Sequence, residues 1–148
     1  METYQAEVLV NERFHLSEGP VWDAETGVLH FVDIKGCTVN TYRLSDGQRT
    51  STEVNQNVGC FALRRQGGYI LGLTAGVYLR SEDGRRIEKM PEPVYDPMTR
   101  SNDGKCDPQG RFWCGTSDLV KGEKRGKLYL LPGDGSCIEM LDRLEISN

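Results

Sequence analysis

Between Arg100 and Thr116 the chain runs Arg-Ser-Asn-Asp-Gly-Lys-Cys-Asp-Pro-Gln-Gly-Arg-Phe-Trp-Cys-Gly-Thr, and its first residues carry the polar groups best suited to chemistry. A guanidinium, an amide and a carboxylate fall within four residues at Arg100, Asn102 and Asp103, directly before a turn and a strand-like aromatic run. Such groups can ligate a cation or hold a polar substrate, and the local pattern predicts a polar loop held at a strand start. Asn102-Asp103-Gly104 read alone is also an ordinary turn, because Asn and Asp bond their own backbone and Gly accepts positive φ. Glu18, ahead of Gly19-Pro20, reads on its own as either a solvated turn carboxylate or a ligand. Asp33 and Asp107 read as strand-end or turn caps.

What is scarce narrows the chemistry. Two histidines, His15 and His30, remove most ways to build an imidazole zinc site or a Ser-His-Asp triad. His30 lies in the run Val28 to Ile34 and is expected to be a satisfied strand histidine. The five cysteines, Cys37, Cys60, Cys106, Cys114 and Cys137, contain no C-x-x-C pair, and their odd number argues against a closed disulfide framework. They are expected to be small buried hydrophobes. A net charge of −4 with 27% charged residues offers no basic face for nucleic acid and no acidic tail. The N-terminus lacks the basic start and apolar centre of a secretory signal, and no window has the apolar length of a membrane span. A cytoplasmic protein with neither nucleic-acid nor membrane partners is expected.

The elements that must position these groups are strands. Helical periodicity is weak, whereas β-rich runs recur at Leu29 to Ile34, Tyr69 to Leu73, Val77 to Arg80, Arg111 to Cys114 and Lys127 to Leu131, between Gly-, Asp- and Asn-bearing turns. The runs form an internal repeat of three units opening near Gly19, Gly59 and Gly104, spaced by 40 and then 45 residues. That period fits a four-stranded propeller blade. An all-β β-propeller segment, one domain over residues 1–148, is predicted, with Trp22, Phe31, Phe112, Trp113 and Tyr129 packed between blades. Three blades do not close a ring, so a further half of the propeller or a second copy, as a homodimer, is expected to cover the open faces.

Several ordered motifs across the whole chain resemble the gluconolactonase/regucalcin (senescence marker protein) family, specifically its N-terminal half. They are Leu16-Ser17-Glu18-Gly19-Pro20-Val21-Trp22, Phe31-Val32-Asp33-Ile34, Arg100 through Thr116, and Ile146-Ser147-Asn148. The resemblance implies a six-bladed propeller with one divalent metal ion, calcium, zinc, magnesium or manganese, in its central channel. It assigns Glu18 as the first metal ligand and Asn148 as the second protein ligand. Arg100 and Asn102 match its substrate contacts, with Asn102 near the metal-bound water. The third ligand, an Asp, belongs to the other half, so this chain alone is expected to lack a complete site, and no catalytic residue is assigned within it. Ser117-Asp118-Leu119-Val120 departs from the animal members, which carry an acidic residue after Gly-Thr.

The implied function is metal-dependent hydrolysis of a sugar lactone once the propeller is completed. The alternatives are a non-catalytic calcium-binding regulatory propeller, or an inactive half-propeller that folds by pairing. One carboxylate with neutral amide oxygens makes a hard-oxygen site of modest affinity. A metal there could polarise a lactone carbonyl and acidify water. Arg100 could hold hydroxyls or the developing carboxylate, and Asn102 could donate to the oxyanion.

Overall fold

The computed structural model describes residues 2–148, and its described residues form strands and turns without a helix. Three four-stranded antiparallel sheets follow one another along the chain. The first holds β1 (Ser17–Asp23), β2 (Val28–Asp33), β3 (Thr38–Arg43) and β4 (Arg49–Glu53). The second holds β5 (Val58–Leu63), β6 (Tyr69–Leu73), β7 (Gly76–Arg80) and β8 (Ile87–Lys89). The third holds β9 (Thr99–Cys106), β10 (Phe112–Asp118), β11 (Gly126–Leu131) and β12 (Ile138–Leu144). In each sheet the strands are ordered as in the chain, and the first strands, β1, β5 and β9, lie side by side. They are the inner strands of three blades.

The repeat is visible in the turns. Between the third and fourth strands of each sheet, Asp46, Asp83 and Asp134 accept the N–H two residues on, from Gln48, Arg85 and Ser136, at 2.9, 3.0 and 2.9 Å. Such Asx turns substitute for backbone pairing where the chain reverses. At the opposite end the residue after each second strand donates to the residue before each first strand. The bonds are Ile34 N–H to the Leu16 oxygen, Thr74 to Asn57 and Leu119 to Met98, at 2.9, 3.1 and 2.8 Å.

The core occupies the two seams between sheets. Val32, Ile34, Val39, Val54, Val58, Phe61, Leu71 and Leu73 fill the first; Ala62, Val77, Tyr95, Phe112, Tyr129, Leu131, Cys60 and Cys114 fill the second. The middle sheet feeds both, which is why its strands are apolar on both alternations. Each fully buried aliphatic or Phe side chain contributes roughly 1.5–3 kcal/mol.

Each inner strand carries a bulge. Pairing with the second strand jumps from Glu18 to Val21 in β1, from Val58 to Cys60 in β5, and from Ser101 to Asp103 in β9, leaving an extra residue on the inner strand. The third-unit equivalent of Gly59 is therefore Asn102, not Gly104. At Gly59 a side chain is excluded outright, because a Cβ would fall inside the Ser101 carbonyl of the neighbouring blade.

Four expectations change. The stretch from Arg100 to Cys106 is not a loop but most of β9, the longest strand; its polar residues are accommodated because part of this inner strand faces a cleft. Trp22, 51% exposed, Phe31 and Trp113 lie on the outer faces of the end sheets instead of between these blades, since they alternate with Val21, Val32 and Phe112, which face the seams. Burial applies to Cys60 and Cys114, whereas Cys37 and Cys137 are half-buried and Cys106, at the end of β9, is exposed. His30 is buried in the first seam with Nδ1 3.1 Å from the Tyr69 hydroxyl, but its Nε2 has no partner, and burial lowers its pKa.

Candidate metal centre

The entry to β1, the bulge of β9 and the last residues of the chain converge. Leu16, Glu18, Ile34, Asn102, Asp103 and Asn148 line one cleft of about 50 Å³. In a regular strand Asn102 and Asp103 would point to opposite faces. The bulge between Ser101 and Asp103 lets both line the same cleft.

Each wall is held from behind. The Asp33 carboxylate accepts the N–H groups of His15, Leu16 and Gly36 at 2.9, 2.8 and 3.0 Å, clamping the segment that leads into Glu18. Burial alone would raise its pKa; the three N–H donors outweigh that and leave it below the ordinary carboxylate value. Asn102 donates through Nδ2 to the Ser147 carbonyl at 2.9 Å and to Asn148 Oδ1 at 3.5 Å. That orients the amide, leaving Oδ1 as its acceptor end. Ser147 Oγ donates to the Thr116 carbonyl at 3.2 Å. Gly115 leaves the space for that approach, since a Cβ there would collide with Ser147. Asp103 Oδ1 accepts the Gly104 N–H at 2.7 Å.

Of the four residues singled out in the sequence, Glu18, Asn102 and Asn148 come together, and Arg100 does not line their cleft. Arg100 is half-buried, donates from Nη1 to the Ser101 carbonyl at 2.8 Å, and is held below the usual guanidinium pKa by burial. Leu16, Ile34 and Asp103 line the cleft as well; Asp103 carried a suitable group in the sequence, but its place beside Asn102 depends on the bulge. Asp118 is committed elsewhere: its carboxylate, 0% exposed, accepts the N–H groups of Val120 and Arg125 and pairs with the Arg125 guanidinium at 3.3 Å.

Among the described residues no group of three or more His, Cys, Asp and Glu side chains is placed to hold a metal. The donors that do converge are carboxylate and amide oxygens, with no sulfur or imidazole, and this set fits a hard divalent cation that takes part of its shell from water or other segments.

The chain matches the model of the SMP-30/Gluconolactonase/LRE-like region over residues 16–148. It belongs to that family. A 6-deoxy-6-sulfogluconolactonase of Pseudomonas putida is 34% identical over 134 residues, 90% of this chain and 46% of that protein. Regucalcin of Xenopus laevis is 33% identical over 154 residues, 100% of this chain and 52% of that one. Among solved structures, the calcium-binding protein regucalcin of Agrobacterium tumefaciens superposes with a TM-score of 0.86 at 23% identity, over 94% of this chain and 47% of that one. The fold is that of these propellers, and the chain spans about half the length of the relatives it matches.

Proposed function

We propose that the protein hydrolyses a sugar lactone with a divalent cation held in the channel, residues 1–148 forming one three-bladed unit, the N-terminal half of a six-bladed propeller. The observation that carries this is the convergence of Glu18, Asn102 and Asn148, from three separate segments, on one oxygen-lined cleft. The sulfogluconolactonase among the relatives supports the substrate class, and the regucalcins support the cation. Five free cysteines suit a reducing, cytoplasmic setting.

Glu18 supplies the negative charge of the cation's shell, and Asn148, anchored through Ser147, supplies an amide oxygen. Asn102, whose Nδ2 is engaged with Ser147 and Asn148, presents Oδ1 as an acceptor to the attacking water and not a donor to the oxyanion, and Arg100, outside the cleft lining, holds substrate hydroxyls. When bound, the cation would polarise the lactone carbonyl and lower the pKa of water. Segments completing the channel in the full protein, or in a homodimer, provide the remaining ligands.

The test is hydrolysis of glucono-1,5-lactone by the protein expressed from its complete reading frame, with calcium, magnesium, manganese or zinc added. Glu18→Gln is expected to lower kcat/KM by roughly 100-fold or more; equal rates would remove the site. The regucalcin relatives favour a second reading, a calcium-binding propeller without turnover. Calorimetric calcium binding with no lactone hydrolysis would identify it.

A further inference from the structure

The second seam holds a pair of thiols that the cleft does not use. Cys60 on β5 and Cys114 on β10 come from adjacent blades, are 1% and 0% exposed, and their sulfurs lie 3.6 Å apart. The Tyr95 hydroxyl lies 3.1 Å from Cys114 Sγ. The space around the sulfurs exists because two glycines face them. A Cβ on Gly72 would sit 2.6 Å from Cys60 Sγ and 3.1 Å from Cys114 Sγ, and one on Gly104 would sit 2.8 Å from Cys60 Sγ. Side chains at either position would collide with the sulfurs, so the two glycines are what let Cys60 and Cys114 stay in contact.

We propose that Cys60 and Cys114 form a reversible disulfide that staples the second blade to the third, made by hydrogen peroxide. The two sulfurs must close from 3.6 Å to about 2.05 Å. Cys114 is the attacking sulfur. As a thiolate it can accept hydrogen bonds from both the Cys60 thiol and the Tyr95 hydroxyl, and these lower its pKa against the opposing effect of burial. The same contact with Cys114, together with burial, pushes the Cys60 thiol well up, so Cys60 keeps its proton while Cys114 is the thiolate. The Cys114 thiolate attacks one peroxide oxygen and breaks the O–O bond, leaving a sulfenic acid and a hydroxide that takes up the released proton as water. Cys60 then attacks the Cys114 sulfur; the S–O bond breaks, and the hydroxyl leaves with the Cys60 proton as a second water. The sulfurs together give up the two electrons that the peroxide gains.

The test uses the chain carrying Cys37→Ser, Cys106→Ser and Cys137→Ser, which keeps only this pair. The folded protein is exposed to hydrogen peroxide, quenched, denatured, alkylated with N-ethylmaleimide and weighed. The expected product has lost two hydrogens, takes up no maleimide, and regains both thiols on treatment with dithiothreitol. Two alkylated thiols, or added oxygen without a cross-link, would overturn the proposal. Should the triple variant not fold, peptide mapping of the peroxide-treated native chain reads the same result, a Cys60–Cys114 linked peptide or its absence. Tyr95→Phe is expected to slow disulfide formation by roughly fivefold, the effect of one hydrogen bond to the thiolate; an unchanged rate would remove Tyr95 from the device.

Discussion

Asp107 shows how much a single carboxylate does at the residue scale. It accepts the N–H groups of Gln109 and Arg111, the Arg111 guanidinium at 2.6 Å and the Trp113 indole N–H at 3.0 Å, so one side chain closes the β9–β10 turn and fixes the first residues of β10. Burial pushes its pKa up, but the indole, the backbone N–H and the guanidinium of Arg111 bring it down to about 2. An unfolded Asp titrates near 3.9, so the unfolded chain binds the proton first as the pH falls. The stabilisation is therefore complete above about pH 4 and disappears as the pH drops towards 2. Asp107→Asn is expected to lower the urea midpoint at pH 7 and to differ much less from the parent at about pH 2. A difference that is the same at both pH values would show that the charge is not what holds the turn. The cap at Asp107 was legible in the sequence from its Asp-Pro-Gln-Gly context, whereas the reach to Trp113 was not, because it depends on the register of β9 against β10.

At the scale of the element, the inner strands depart from regular alternation, and that departure organises both seams. In β5, Val58 joins the first core while Cys60 and Ala62 join the second, although an unbulged strand would put all three on one face. In β9, Ser101 faces Gly59 and Gly72 of the middle blade, and Gly104 faces Cys60, again across a one-residue shift. Gly59→Ala is expected to cost at least about 2 kcal/mol, because the obstruction is backbone and cannot swing aside. Gly110→Ala has open space around it despite a φ of 80° and is expected to cost only about 1 kcal/mol. Urea denaturation of both variants compares them; equal losses would mean that the approach of β5 to β9 is looser than described. The strand runs with strong apolar character were readable, Tyr69 to Leu73 to the residue. Polar β9 and the solvent-facing β12 were not, since neither alternates cleanly and both are strands because a neighbour pairs with them. The cleft was legible in part, Asn102 and Asp103 as residue types and Glu18 and Asn148 through the family resemblance; the bulge that sets Asn102 and Asp103 on one cleft has no signature short of the pairing itself.

For the molecule as a whole, the two end sheets differ in how they meet solvent. The N-terminal segment lies over the first sheet, with Phe14 packed edge-on against Phe31 at 5.1 Å and Val10 lining the same groove. On the third sheet Trp113, Leu128, Leu141, Leu144 and Ile146 line an uncovered groove of about 390 Å³, with Leu141 55% and Ile146 65% exposed. An apolar face of this kind favours association. The 148-residue chain is expected to self-associate with rising concentration in sedimentation equilibrium, and Leu141→Glu with Ile146→Glu to weaken it; a parent chain that stays monomeric would contradict this. The blades also have unlike ends. The Asx turns at Asp46, Asp83 and Asp134, and the Asp107 turn, all lie at the end opposite the inner-strand bulges. The connections at the bulged end differ from blade to blade: residues 34–37 join β2 to β3, 74–75 join β6 to β7, and 119–125 join β10 to β11. The architecture thus separates a uniform end, where every blade turns on an aspartate, from an end whose connections vary in length from two to seven residues, and it is at the variable end that Ile34 reaches the cleft.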